Sequence, residues 1–338
     1  MLLTPILTLA FVCCAALLNL TLASDSIEPE FFSLSRAERN EIFGMAGDMR
    51  DASLALLGFR KLPEAEEKPK APVPAKPEVA GIKVAARSAV AVDCQSNDVI
   101  FEQAAQEKWP IASITKLMTA LVFLDYNPGW DKIYQIRKDD RRDGGRIYLY
   151  AGEKVKIKDI FYTSLTASDN TATVALVHST GMTEAQFVEK MNERAKLLGM
   201  VNTSFQDATG LKPNESTAEE IAKFANIALE NEDIRAATLK REYRFKTQEG
   251  KEKTIPSTDQ LLKERMEGGI EIAGGKTGYT DEAGYCFVGR FVQNGHELVT
   301  VVLGTPSVAT RFSETNNLVK WIFSNFKWEN PIAPEEKK

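Results

Sequence analysis

Ser113 and Lys116 stand three residues apart in WPIASITKLMTALVFLD, Trp109 to Asp125. The apolar residues of this stretch, Ile114, Leu117, Met118, Leu121 and Val122, recur at i, i+3, i+4, i+7 and i+8, which predicts a helix packed into a core. On a helix, residues three apart are neighbours on one face. A charged lysine is no base, but desolvation disfavours its charged form. A lysine in a dry pocket can therefore take a proton near neutral pH and activate a serine hydroxyl. A serine at the first turn also gains from the backbone N–H groups and dipole of the helix N-terminus. The pair taken alone reads equally well as a capping serine with a snorkelling lysine. The same spacing recurs at Ser324 and Lys327, where it reads as a frayed helix end with a solvated lysine.

Two further groupings bear on that choice. Ser168-Asp169-Asn170, in TASDNTA, falls at a junction between helical stretches and is the only Ser-x-Asn. Lys276-Thr277-Gly278, in GGKTGYT, falls at the expected start of a strand and is the only Lys-Ser/Thr-Gly. Singly these read as a helix cap and a strand start; together with Ser113 and Lys116 they supply a nucleophile, a base, a second hydroxyl and a second cation. The chain has only two histidines, His178 in a helical run and His296 after a turn, so a serine nucleophile here is expected to use a base other than histidine. No Cys-x-x-Cys or His-rich spacing suggests a metal.

The elements that must hold these residues follow from texture. With 338 residues, 43% hydrophobic and 26% charged, the chain can form a sizeable core. A net charge of -5 and the lack of a basic cluster interleaved with aromatics argue against nucleic acid as a partner. Residues 1–23 are apolar and end Thr21-Leu22-Ala23, the form of a signal peptide cleaved after Ala23, which implies an exported, periplasmic or extracytoplasmic protein. No Lys or Arg precedes that run, and left uncleaved it would anchor the chain in a membrane. Val12 before Cys13 does not suit a lipoprotein, and Cys94 and Cys286 read as isolated buried thiols. Residues 24–81 read as a helical stretch with a capping box at Ser35 and Glu38, then a Pro/Lys/Glu-rich linker. Residues 82–326 read as one domain, with a polar tail over 327–338.

Within that domain, VAARSAVAVDCQSNDVIFEQ predicts two strands turned at Ser96-Asn97-Asp98. A helical middle follows, including a helix after a capping box at Ser216 and Glu219. Strands return in GGKTGYT, AGYCFVGRFVQNG and HELVTVVLGT, with a hairpin turn at Asn294-Gly295, and SETNNLVKWIFSNF closes as an amphipathic helix. Strands at both ends of a helical centre imply an α+β fold, an antiparallel sheet covered by helices.

The three groupings occur in the order Ser-x-x-Lys, Ser-x-Asn, Lys-Thr-Gly. With IASITKLMTALV, LLGMVNTSFQDATGL, STAEEIAKFA and GGKTGYTDEAGYCFV, the chain resembles the low-molecular-mass penicillin-binding proteins, the serine D-alanyl-D-alanine peptidases, over about residues 82–326. The resemblance implies a β-lactamase/transpeptidase-like fold with a helical subdomain. It implies Ser113 as acylated nucleophile, Lys116 as its base, and Ser168 as relay to the leaving amine. Asn170 would orient Lys116 and bond the substrate amide; Lys276 would supply positive charge to the site, and Thr277 would help bind the terminal carboxylate. The backbone N–H groups of Ser113 and of Tyr279, after Gly278, would form the oxyanion hole. The implied partners are peptidoglycan stem peptides ending in or cross-linked through D-alanine, with β-lactams as covalent inhibitors, and no cofactor is needed.

Two departures refine the expectation. Ser-Asp-Asn replaces the commoner Ser-Gly-Asn of these peptidases and is also the β-lactamase form, yet the following NTSFQDATGL offers Asp207 and no Glu-x-x-x-Asn to activate a deacylating water. A slowly deacylating penicillin target is therefore expected rather than a β-lactamase. The sequence runs out soon after its closing helix, so the β-rich C-terminal domain of many family carboxypeptidases is not expected; this form resembles the D,D-endopeptidase branch, and exo- and endo-activity stay open. A third reading is a non-catalytic peptidoglycan-binding scaffold, which the long tether suits and the intact set of site residues opposes.

Overall fold

The computed structural model describes residues 70–263 and 266–328. The export segment, the Ser35–Glu38 capping box, the linker up to residue 69 and the tail beyond Trp328 lie outside the described residues.

Strands β1 (Ser88–Asp93) and β2 (Val99–Gln103) form a hairpin turned where expected. Asn97 takes φ 61°, and Asp93 Oδ2 accepts the Ser96 N–H at 2.8 Å. Six helices follow: α1 (Thr115–Asp125), α2 (Ile157–Thr166), α3 (Asn170–Ser179), α4 (Glu184–Leu197), α5 (Ala218–Glu230) and α6 (Glu232–Thr238). Then come β3 (Glu271–Thr280), β4 (Gly284–Gln293) and β5 (His296–Thr305), closed by α7 (Val308–Asn325). The Asn294-Gly295 turn has φ 53° and 82°, the double positive φ of a hairpin turn that matches strand twist.

The five strands form one antiparallel sheet in the order β3-β4-β5-β1-β2, an α+β arrangement in which the first strands pair with the last. Alternation along β1 explains the layers. Val90 and Val92 join a core with Phe123, Phe161 and Ile221 of the helical middle. Ala89 and Ala91 face the other way, onto a core with Phe312, Leu318, Val319 and Ile322 of α7. Both faces are covered, so β1 is buried along its whole length.

Four local expectations are corrected. The predicted Trp109–Asp125 helix starts only at Thr115: Trp109-Pro110 pairs with Glu215-Ser216, and a 3₁₀ turn over Ala112–Ile114 intervenes. Proline lacks the N–H a helix interior needs, and Ala112 sits at φ 45°. Helix α5 is capped by Thr217, which accepts the Glu220 N–H at 3.2 Å, and not by Ser216, whose hydroxyl bonds Thr203 at 2.6 Å. Lys276-Thr277-Gly278 lies in the second half of a ten-residue strand rather than at its start, because pairing with β4 begins at Glu271 and crosses a bulge at Gly274. The folded unit also begins before Ile82. Val73-Pro74 pairs with Phe326-Lys327, Ala75 N–H donates to Asn325 O at 2.7 Å, and Trp321 Nε1 donates to Ala80 O at 3.1 Å. Beyond position 326, Trp328 stacks on His296 and donates to Asp93 Oδ1 at 2.7 Å.

Cys94 and Cys286 are unpaired thiols, and burial raises the pKa of Cys286 to about 11.

Candidate active site

Lys116, the second residue of α1, is wholly buried. Its Nζ lies 2.8 Å from Ser113 Oγ, 2.7 Å from Asn170 Oδ1 and 2.7 Å from Thr209 O. These three neutral acceptors match the three protons of an ammonium. Burial pulls the Lys116 pKa down to about 7, against the opposing pull of the Asp207 and Asp169 carboxylates. The chemical consequence follows from the partners. Once Nζ loses a proton it needs a donor for its lone pair, and neither a backbone carbonyl nor an amide oxygen has one. Only the Ser113 hydroxyl can donate, so the neutral lysine directs itself at the serine.

Ser113 is held by close backbone packing. Gly210, at φ 84°, lies where an added Cβ would be 2.0 Å from Ala112 O. Its loop is organised by Asp207, whose carboxylate accepts the N–H groups of Gly210 at 3.0 Å and Leu211 at 3.3 Å and the Thr209 hydroxyl. Asn214 Nδ2 links the loop to Thr115 Oγ1 at 2.9 Å. Asp207 is thus committed to its own loop, the loop that presents Thr209 O to Lys116.

Asn170 opens α3 and is fixed at both ends of its amide: Oδ1 accepts from Lys116 and Nδ2 donates to Gly144 O. Asp169 is the cap of that helix, accepting Ala172 N–H at 2.9 Å and, across the site, Tyr148 N–H at 2.7 Å. Ser168 takes the left-handed φ of 60°, uncommon for a residue with a side chain, and its Oγ accepts from Lys276 Nζ at 2.8 Å. Lys276 also donates to Thr277 O at 3.0 Å. Burial, with the positive charges of Lys116 and Arg311, holds its pKa well below the usual lysine range, and Asp259 opposes this.

Strand β3 is an edge strand of the sheet and passes Ser113 closely. A Cβ at Gly278 would sit 2.8 Å from Ile111 O and 3.3 Å from Ser113 N, so only glycine permits this approach. Tyr279 follows, half exposed, its ring stacked on Tyr285 and its hydroxyl donating to Asp281 Oδ1 at 2.7 Å. Thr277 Oγ1 is 2.7 Å from Thr258 Oγ1. The structure therefore brings Ser113, Lys116, Ser168, Asn170, Lys276, Thr277 and Gly278 into one bonded or closely packed cluster, with Tyr279 at its rim.

The histidines lie elsewhere: His178 Nδ1 is 2.6 Å from Asp140 Oδ1, and His296 stacks on Trp328. Three groups at or near the cluster escaped the sequence reading. Thr209 contributes a carbonyl, which no residue type reveals. Arg311 of α7 reaches under β3 to donate to Gly278 O at 3.1 Å and Cys286 O at 3.3 Å. Asp259 lies buried beside Gly275. An Arg in an amphipathic helix and an Asp in a Ser/Thr-rich turn both look solvated in sequence.

A serine hydroxyl hydrogen-bonded to a desolvated lysine is set here against the edge strand of a helix-covered antiparallel sheet. Residues 72–307 match the family described as D-alanyl-D-alanine carboxypeptidase, and the chain belongs to that family. It is 34% identical over 249 residues to the D-alanyl-D-alanine endopeptidase of Haemophilus influenzae, covering 72% of this chain and 81% of that protein. It is 30% identical over 249 residues to the D-alanyl-D-alanine carboxypeptidase DacF of Bacillus subtilis, of which the matched region spans 63%. The solved Streptomyces K15 DD-transpeptidase superposes with a TM-score of 0.68 at 27% identity, covering 73% of this chain and all of that one.

Proposed function

We propose that the protein is a D,D-peptidase of peptidoglycan stem peptides, acting through an acyl-enzyme at Ser113, and that β-lactams acylate the same serine. The observation that carries this reading is the Lys116 amine, whose sole proton-donating neighbour is the Ser113 hydroxyl.

In the reading, a peptide ending in or cross-linked through D-alanine lies along the free edge of β3 as an added strand. Its carboxylate is drawn to Lys276 and Thr277. Ser113 Oγ attacks the carbonyl as its proton passes to Lys116, and the oxyanion is met by the backbone N–H groups of Ser113 and Tyr279. The leaving amine takes its proton through Ser168, which Lys276 already contacts. Water then hydrolyses the ester, restoring Ser113. The Asp207 carboxylate, committed to its loop, does not supply a fast route to that last step, which supports slow loss of a penicilloyl group rather than β-lactamase turnover. Both carboxypeptidases and endopeptidases are among the relatives, and either cut uses this machinery. The apolar 1–23 segment and the nature of the substrate support action outside the cytoplasm.

The test is incubation with benzylpenicillin while the intact mass is followed. A persistent adduct on Ser113, absent in Ser113→Ala, is expected, and cross-linked and pentapeptide muropeptides then separate endo- from exo-cleavage. An adduct that disappears while the drug is consumed would favour a β-lactamase. No adduct at all would overturn the reading in favour of a non-catalytic binding protein.

A further inference from the structure

Two loops meet at Asn170. The first, residues 141–148, is pinned to the Ser168–Asn170 segment at two points: Gly144 O accepts from Asn170 Nδ2, and Tyr148 N–H donates to Asp169 Oδ2 at 2.7 Å. The second carries Thr209, whose carbonyl holds Lys116, and then Leu211 and Lys212. The two loops touch, for a Cβ added to Gly144 would stand 2.8 Å from Leu211 Cδ2 and 3.5 Å from Asn170 Nδ2.

Charge on these loops is unevenly matched. Arg141 pairs with Asp143 at 3.0 Å, and Arg142 pairs with Glu184. Arg146, between the two pinned points, is exposed, and its guanidinium lies over the Tyr148 ring, 5.1 Å from the centroid. Lys212 is also exposed, and neither cation pairs with a carboxylate among the described residues. The acids of these segments are engaged elsewhere: Asp143 with Arg141, Asp169 as the cap of α3, Asp207 within its own loop. A chain of net charge -5 thus shows two uncompensated cations at one rim of its site.

Strand alternation tells which part of a substrate meets that rim. Lys276 reaches Ser168 and Gly278 abuts Ser113, so the even-numbered residues from 276 to 280 face the helical side of the site. In the D,D-peptidase reading the peptide runs antiparallel to β3, its carboxylate at Lys276 and Thr277 and its scissile carbonyl at the Tyr279 N–H. The residue ahead of the acyl D-alanine then lies opposite Thr280. An L-residue there sends its side chain to the same face, toward the two loops.

We propose that Arg146 and Lys212 form a carboxylate-binding rim that selects stem peptides with an anionic side chain on the residue ahead of the acyl D-alanine. This rests on the D,D-peptidase reading and adds the substrate class to it. The side-chain carboxylate gains charge-assisted hydrogen bonds from the planar guanidinium and from the ammonium. Both cations are exposed, so the selectivity is moderate and weakens as salt is added.

The test uses two synthetic pentapeptides ending in D-alanyl-D-alanine. They are alike except that the residue ahead of that pair carries a side-chain carboxylate in one and the matching carboxamide in the other. Each is titrated against benzylpenicillin, and protection of Ser113 is read from the intact mass, because a bound peptide protects whether or not it is cut. The carboxylate peptide is expected to protect the wild-type protein at about fivefold lower concentration. That advantage should fall to about twofold in Arg146→Gln and vanish when Lys212→Gln is added. The ratio is taken within each protein, so a general change in reactivity cancels. Equal protection by the two peptides, protection by neither, or an advantage kept in the double variant would overturn the inference and leave the D,D-peptidase reading standing. A wild-type protein that takes up no penicillin would overturn both.

Discussion

Among the described residues, the three hydrogen-bond partners of the Lys116 amine are neutral, and the residue's expected chemistry follows from that. A lysine paired with a carboxylate would be locked as a cation, whereas one surrounded by a hydroxyl, an amide and a carbonyl can lose its proton without leaving an anion unpaired. Its pKa near 7 is depressed, so the fraction in the neutral, proton-accepting form rises as pH rises through that value. Acylation by benzylpenicillin should therefore climb through about pH 7 and flatten above it. Lys116→Arg keeps the charge and cannot lose it, and it should cost roughly 10²- to 10⁴-fold in acylation rate with the fold retained by circular dichroism. At this scale the sequence was most informative about Ser113 and Lys116. Their spacing and the apolar residues around them already state proximity and dryness. It was silent on Asp259 and Arg311, because a buried charge and a solvated one share the same letter until distant segments close over it.

Elements matter here through how closely they approach one another. Strand β3, the loop at Gly210 and the turn at Ala112 converge on Ser113 with no room for a side chain between them. Gly278→Ala would press its Cβ on Ile111 O and push β3 away from Ser113. A shift approaching 1 Å is expected to lower the acylation rate by about 10²-fold, measured with the same penicillin reaction. An unchanged rate would mean that the edge of β3 does not take part. The strands themselves were legible from alternation and turn residues: Asn97 and Asn294-Gly295 turn the chain where expected. Their starting points were not, since β3 begins at Glu271 only because β4 offers it a partner that far. The cap of α5 moved by one residue for a similar reason. Ser216 is taken into the pair with Trp109, leaving Thr217 to cap.

For the whole molecule, the segment ahead of Ile82 belongs to the folded unit. Residues 73–80 bridge to the end of α7 through strand pairing, the Ala75–Asn325 bond and the Trp321–Ala80 bond. A chain begun at Ile82 should accordingly melt lower than one begun at Lys70, by at least about 3 °C in calorimetry, as expected for the loss of about 1 kcal/mol in a domain of this size. Equal melting temperatures would show that the strap adds nothing to stability. Composition drew the boundary at Ile82 because Pro, Lys and Glu look like linker, and a strap held by backbone pairing leaves no apolar pattern to read.

The order β3-β4-β5-β1-β2 has a bearing on when the molecule becomes active as well as on its shape. Ser113 and Lys116 are synthesised early, while β3, with Lys276 and Gly278, comes more than 150 residues later and β5, which joins β1 to the rest of the sheet, later still. Contacts of such sequence separation form slowly and late in folding. Under the D,D-peptidase reading, a chain whose last strands have not joined the sheet would hold Ser113 and Lys116 without Lys276 or an edge strand beside them, so penicillin acylation should appear in refolding only once the sheet has closed.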